Sequence, residues 1–331
     1  MIKKYWIFIV DDNTWPEHLR AGIAAINKPP KIAGQQSAIA EIIGVKPGDL
    51  LFFNLRVSEI HPPQIIGLYE VTTYPYYDES PISPEAKFVG VVDKYRNPYR
   101  VGFKQVVNFS KPLDMDQIWL LKDKGLIWSI QQSRGNAIGV HACISITVPE
   151  GKIISKMLKA LNPIEEQPIR VPDPPSTRTP LPINLSTDHD GSLHYESALD
   201  ALLIKGLSEG EFKNILGDYD DFIPFFLTPA RYEIDVLLLK YDGDDILWYG
   251  IIETKAKQFT GKEIIRLINY ENWFVRTKVI SPIQVHSIAL AYDHKEIIEY
   301  ARKKKDYDNR GVKLVQYRFD ENGLSLSEVP Y

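Results

Sequence analysis

Cysteine is almost absent: Cys143 stands alone in 331 residues. One thiol excludes an intramolecular disulfide and a cysteine-rich zinc site, and a reducing cytoplasm is the expected compartment. Long apolar runs are missing as well. "YWIFIV" near the start is too short for a signal-peptide core or a membrane span, and no later run is long enough, so no membrane partner is expected. A positive excess is lacking too, and a net charge of −4 does not announce a nucleic-acid binder. The distribution says more. Residues 1–160 carry 19 Lys+Arg against 15 Asp+Glu; the remainder carries 20 against 28. A basic front half suits phosphate, and an acidic back half suits a cation. What is present is an ordinary globular composition, 44% hydrophobic and 25% charged, in a chain long enough for two cores.

The one obvious boundary is "NPIEEQPIRVPDPPSTRTPLPINLSTDHDGS", with prolines at 163, 168, 172, 174, 175, 180 and 182. Such a stretch makes neither a helix nor a central strand and reads as an extended linker. The expected organisation is a first domain over 1–161, a linker over 162–192 and a second domain over 193–331. In the first, "YWIFIV", "DLLFFNL", "QIIGLYEV", "RVGFKQVVNF" and "ACISIT" read as strands. "LRAGIAAI" and "SAIAEIIG" read as short helices, and "EGKIISKMLKAL" as a closing helix. This is a small β-barrel with peripheral helices. The second reads as helix, hairpin, helix, strand, helix, strand: a mixed sheet flanked by helices. The fold class is α+β in two domains.

The hairpin poses a chemical question. "RYEIDVLLLKYDGDDILWYGIIETKAK" is two apolar strands around an Asp/Gly turn, yet Asp235 sits inside the first and Glu253 and Lys255 interrupt the second. Burying an unpaired charge costs several kcal/mol or neutralises it. Alternation puts Glu253 and Lys255 on one face and Thr254 on the other. Asp235 joins Glu253 only if paired residue numbers have an even sum such as 488. A two-residue turn at Gly243-Asp244 gives 487, so either a three-residue loop (Gly243 to Asp245) or a bulge must correct the parity. Two carboxylates there form a hard-oxygen site for Mg²⁺ or Mn²⁺. A lysine beside them can orient a water or face the charge that develops on phosphate. An ordinary surface salt bridge is the plainer alternative.

This pattern resembles the PD-(D/E)XK nuclease superfamily, in which an acidic residue on one strand is followed by Glu/Asp-x-Lys on the next. The resemblance covers roughly Ser192 to Lys305 and implies a restriction-endonuclease-like fold with Asp235, Glu253 and Lys255 catalytic and the two acids on the metal. It also implies an acid on the preceding helix: Glu196 in "HYESALDALL", with Asp200 one turn on as the substitute. "RLINY", Arg266 to Tyr270, stands where one branch has Gln-Leu-x-x-Tyr, and Arg266 is expected at the nucleic-acid backbone. "EIDV" lacks the proline common before the first acid. Arg231 and Lys257 flank the motif as further phosphate candidates.

"KPGDLLFFNL" followed by "QIIGLYEVT" is similar to the EVE and YTH branch of PUA-like domains. "YRVGFKQVVNFSKPLDMDQI", "SIQQSRGNAIGV" and the closing helix follow in order, so the resemblance covers Lys4 to Leu161. It implies a modified base held by aromatic faces, where stacking is worth about 1–3 kcal/mol and extrusion costs a few. Candidates are Trp15, Tyr74, Tyr76 and Tyr77, with Asn13 placed to read a base edge. The tryptophan that YTH domains place after their first helix falls near Ile26 here, so any cage is built differently. Trp119 and Trp128 are expected in the core.

Together the halves resemble a modification-dependent restriction endonuclease acting on DNA with Mg²⁺ or Mn²⁺, with a homodimer to cut both strands. The rivals are an RNA-directed nuclease, a binding protein with an inert nuclease fold, and a DNA-repair nuclease.

Overall fold

Short apolar runs of strand length make the first half a set of strands, and β1 and β3 are buried along nearly their whole length. The computed structural model describes all residues except 1, 57, 59–60, 83–96, 131–140, 164–166, 169–170, 173–177, 229–232, 279–280 and 309–310. Residues 131–140 of "SIQQSRGNAIGV", and Arg231, lie outside the described residues. The chain divides into two units, Met1–Pro182 and Ile183–Tyr331.

The first unit runs β1 (Tyr5–Val10), α1 (Trp15–Ala21), β2 (Ile23–Ile26), α2 (Ile32–Ile42), β3 (Leu50–Leu55), β4 (Gln64–Val71), β5 (Tyr76–Tyr77) and β6 (Tyr99–Val107). It continues with β7 (Leu113–Asp114), α3 (Met115–Asp123), β8 (Cys143–Ile146), α4 (Val148–Leu161) and β9 (Thr179–Pro180). The described strands order as β8-β1-β3-β4-β6-β5-β9, with β2 on β6 and β7 on β4. β1 and β3 are parallel. The rings of Phe53, Tyr69 and Phe103 pack edge to face in the core, centroids 4.9–5.3 Å apart.

Two segments differ from the sequence expectation. "LRAGIAAI" is not one helix. Gly22 takes φ +66°, closes α1 with its N–H on Leu19 O, and releases "IAAI" to pair with β6. The proline-rich stretch is also not a free tether along its whole length. Val171 packs at Gly22, Gln36 donates to Pro182 O, and Thr179–Pro180 pairs with Tyr76–Tyr77. Prolines suit this edge position because they need no ladder donor.

The second unit runs α5 (Glu196–Glu209), α6 (Lys213–Leu216), β10 (Asp221–Leu227), β11 (Glu233–Asp242), β12 (Asp245–Gln258) and α7 (Gly261–Lys278). After these come β13 (Val285–Asp293), α8 (Ile298–Asp308), β14 (Lys313–Asp320) and β15 (Gly323–Glu328). The sheet order is β10-β11-β12-β13-β14-β15, parallel from β12 to β14 and antiparallel elsewhere. It is the mixed sheet read from the sequence, widened by two edge strands. "DFIPFFL" escapes notice because Pro224 breaks the strand signal, yet an edge strand tolerates it. Tyr249 packs on Phe274 of α7, while Thr254 reaches Asp200 of α5. Tyr249 and Thr254 differ in parity, so α7 and α5 lie against opposite faces of β12, and the long Lys255 side chain still reaches Glu196 at the start of α5.

Candidate functional site

The hairpin resolves its parity by the bulge. Asp242 pairs with Asp245 across a two-residue turn, and Gly243 supplies the required positive φ of +62°. The register then shifts between Lys240 and Tyr241. From Lys240↔Trp248 to Val236↔Ile252 the paired numbers sum to 488, so the next step sets Asp235 across from Glu253. That next pair does not form. Both strands run on, but their ladder ends at Val236↔Ile252.

Asp235 fills the gap. Its Oδ2 accepts the Thr254 N–H at 2.7 Å and lies 3.1 Å from Thr254 Oγ1, which is also 2.6 Å from Asp200 Oδ1. One hydroxyl proton serves one acceptor at a time. Burial first, then the charge of Glu196 nearby, pushes Asp200 up to about 7. Burial, then Glu253 and Asp200, holds Asp235 well above the carboxylate range. On the other flank, Phe225 of β10 takes φ +50°, a strained conformation for a bulky residue, between the pairs Pro224↔Val236 and Phe226↔Ile234. Such strain concentrates at functional sites.

Glu253 is fully buried. Its Oε1 is paired with the Arg266 guanidinium and is 3.5 Å from Lys255 Nζ, whereas Oε2 is buried with no hydrogen-bond partner. Burial raises the Glu253 pKa despite both cations. Lys255 Nζ donates to Glu196 Oε1 at 3.0 Å and to Thr254 O at 2.6 Å. Burial would lower Lys255, but Asp235, Glu196 and Glu253 outweigh it and keep the amine above its ordinary value. Tyr270, one turn after Arg266, donates to Glu233 O at 2.6 Å and buttresses the start of β11.

The structure thus brings Glu196, Asp235, Glu253, Lys255 and Arg266 together. The sequence pattern assigns Thr254 a face but no role, and Asp200 only the place of a substitute for Glu196. The one available signal was the four-residue spacing of Glu196 and Asp200, which stacks them on one helix face. Lys257 is engaged elsewhere, 2.6 Å from Asp188. Among the described residues, no group of three or more His, Cys, Asp or Glu could hold a metal ion. Asp235 and Glu253 offer a pair of hard oxygens, which suits an ion that keeps several waters.

In the first unit the aromatic candidates separate. Asp11 Oδ1 accepts the N–H groups of Asn13 and Thr14, at 3.0 and 2.8 Å, and so shapes the loop into α1. Asn13 is exposed there. Trp15 is half-buried, its ring 4.6 Å from Phe53 and 6.0 Å from Tyr69. Tyr74 is 66% exposed, but Tyr76 is only 2% exposed, so its ring is closed to a stacked base. Tyr76 pairs between Arg100 and Pro180, with Arg178 over its face. Tyr77 accepts from Lys28 at 2.6 Å. Trp119 and Trp128 are half-buried rather than core residues. Asn54, opposite Ile9 at the end of β3, has a buried Oδ1 with no partner.

His18, one turn after Trp15, is buried with Nδ1 2.7 Å from Ile23 O, and burial holds its pKa below the ordinary value. The folded ring stays neutral where the unfolded one protonates. Its contribution is therefore intact above about pH 6.5 and erodes below it, by up to about 1.4 kcal/mol per pH unit. Melting between pH 7.5 and 5.5 is expected to cost wild type more than His18→Gln; equal losses would refute the assignment.

The described first unit, with a parallel β1–β3 pair in its sheet and helices α1 to α4 beside it, defines a mixed α+β domain. The EVE domain family matches residues 4–154. The UPF0310 protein PH1033 of Pyrococcus horikoshii is 32% identical over 129 residues, 36% of this chain and 79% of the relative. The chain belongs to the EVE-domain family, and its first unit carries that PUA-like domain. Similar solved structures include a hypothetical protein from Leishmania major, at 13% identity and a TM-score of 0.35, covering 49% of this chain and 98% of that one. Human THYN1 in complex with 5-methylcytosine-containing DNA is another, at 11% identity and a TM-score of 0.31, covering 47% of this chain and 98% of that one. The family match ends at residue 154, so the second unit is read from its own residues. Among the described residues no helix is long and apolar enough to cross a membrane.

Proposed function

We propose that this chain is a modification-dependent DNA endonuclease. The EVE domain engages a duplex with a modified base, and the second unit hydrolyses phosphodiester bonds with Mg²⁺ or Mn²⁺. One observation carries the nuclease half: β11 and β12 part where Asp235, Glu253 and Lys255 meet, and a buried Glu253 oxygen is left without a partner there. An orphaned carboxylate oxygen beside raised carboxyl groups fits a divalent cation, which would relieve their mutual repulsion. Asp235 and Glu253 would hold the ion, which when bound supplies Lewis acidity and a more acidic water.

The chain's own residues do the rest. Thr254 and Asp200 position the Asp235 carboxylate. Glu196 holds the Lys255 amine, and that amine orients the attacking water and faces the charge that develops on the phosphate. Family membership supports the reader half, with Asn13, Trp15 and Tyr74 as the accessible contacts. Cutting both strands takes two such sites, which a homodimer would supply.

The test is cleavage of matched duplexes, unmodified and carrying 5-methylcytosine, hydroxymethylcytosine or methyladenine, each with Mg²⁺ and with Mn²⁺. The methylcytosine duplex comes first, as the DNA bound by human THYN1. Cutting confined to one modified duplex is the expected result. Equal cutting of all four would remove the reader as a gate. Cutting of RNA in place of DNA would reassign the substrate.

A further inference from the structure

Arg266 occupies an unusual position for a residue expected on a DNA phosphate: its guanidinium is against Glu253. A fully buried carboxylate needs a counter-cation, and Glu253 takes two on the same oxygen. These two are not alike. Lys255 is anchored from both sides, by Glu196 and by Thr254 O. Arg266 makes, among the described residues, one ion pair, with Asp235 adding only a longer-range attraction, and its side chain is 43% exposed. The long stem lets such a head group swing into solvent without moving the helix. The helix is pinned separately, through Tyr270 and Glu233 O.

We propose that Arg266 is an exchangeable counter-cation. It neutralises Glu253 until a divalent ion arrives, and is then released to bind a DNA phosphate. The inference rests on the nuclease reading above. Two positive charges placed on Glu253 and Asp235 repel a guanidinium that touches Glu253. The same charges draw in the phosphate that can accept it, and a planar guanidinium suits phosphate oxygens. Metal and arginine therefore compete for one carboxylate, while arginine and DNA cooperate once the metal is bound. The exchange would keep the buried acid paired at every stage.

The experiment compares the full chain with Arg266→Gln and Arg266→Lys. Calorimetric titration with Mn²⁺ at pH 8 is expected to show binding on the order of tenfold tighter in Arg266→Gln, because the competitor is gone. Binding of an unmodified duplex in Ca²⁺ is expected to move the other way. It should weaken in Arg266→Gln, with the slope of log affinity against log salt shallower by about 1. Arg266→Lys should keep the wild-type slope. A residue that merely supports the fold would weaken both equilibria, and that result would overturn the exchange. So would unchanged Mn²⁺ affinity in Arg266→Gln beside a wild type that binds the ion. A wild type that binds no Mn²⁺ would instead overturn the metal site itself.

Discussion

Lys255→Ala is expected to lower phosphodiester cleavage by about 100- to 1000-fold, the scale seen when a donor to transition-state charge is removed, while duplex affinity is retained. The amine sits among Asp235, Glu196 and Glu253, and their charges keep it protonated. A group so held is prepared for charge that develops only during reaction, so its loss falls on turnover rather than binding. The substitution also takes one of two cations from the buried Glu253, so melting must be measured alongside activity. Glu196→Gln provides the second reading. Its side chain is 44% exposed and would act only through Lys255, so a smaller loss is expected with little change in stability. Wild-type cleavage by a folded Lys255→Ala protein would end the assignment of a catalytic lysine.

Gly67→Ala is expected to destabilise the first unit by about 2–5 kcal/mol, from a left-handed backbone cost of about 1–2 and overpacking of about 1–3. Gly67 has φ +68°, and a Cβ there would lie 2.1 Å from the Tyr69 ring. That ring cannot step aside, because it packs on Phe103, Phe53 and Trp15. The glycine in "QIIGLYEV" is therefore the space that lets Tyr69 support Trp15, a candidate base contact. Gly125→Ala is the matched control: φ is +72°, but nothing lies within 4 Å of the added carbon, so only the backbone cost applies. Thermal unfolding of both variants separates the two costs. Equal melting temperatures would show that the Tyr69 ring yields after all. Affinity for a modified duplex should fall in Gly67→Ala and hold in Gly125→Ala.

Much of this protein follows from local pattern. Short apolar runs bounded by turns mark β1, β3, β4, β6 and β8, and the hairpin arithmetic demands a bulge or a longer loop. Glu253, Lys255 and Thr254 were assigned their faces from the period of a strand alone, since successive side chains must point oppositely. The EVE-like run "KPGDLLFFNL" to "QIIGLYEVT" is legible for a similar reason: turn residues and short apolar runs are short-range signals. What short range cannot convey is where a ladder stops. The parting of β11 and β12 at Val236↔Ile252 depends on Thr254 giving its N–H to Asp235, 19 residues away. The partners Asp200 and Glu196 come from a helix 54 and 59 residues from Thr254 and Lys255. Tyr76 stands in a tyrosine run that suits a stacked base, yet it is buried where its strand pairs with Arg100 and Pro180 of two other strands. The identity of the charged groups was thus a property of the sequence. Their convergence, and the pairing of Arg266 with Glu253, were decided by helices packing on both faces of one strand.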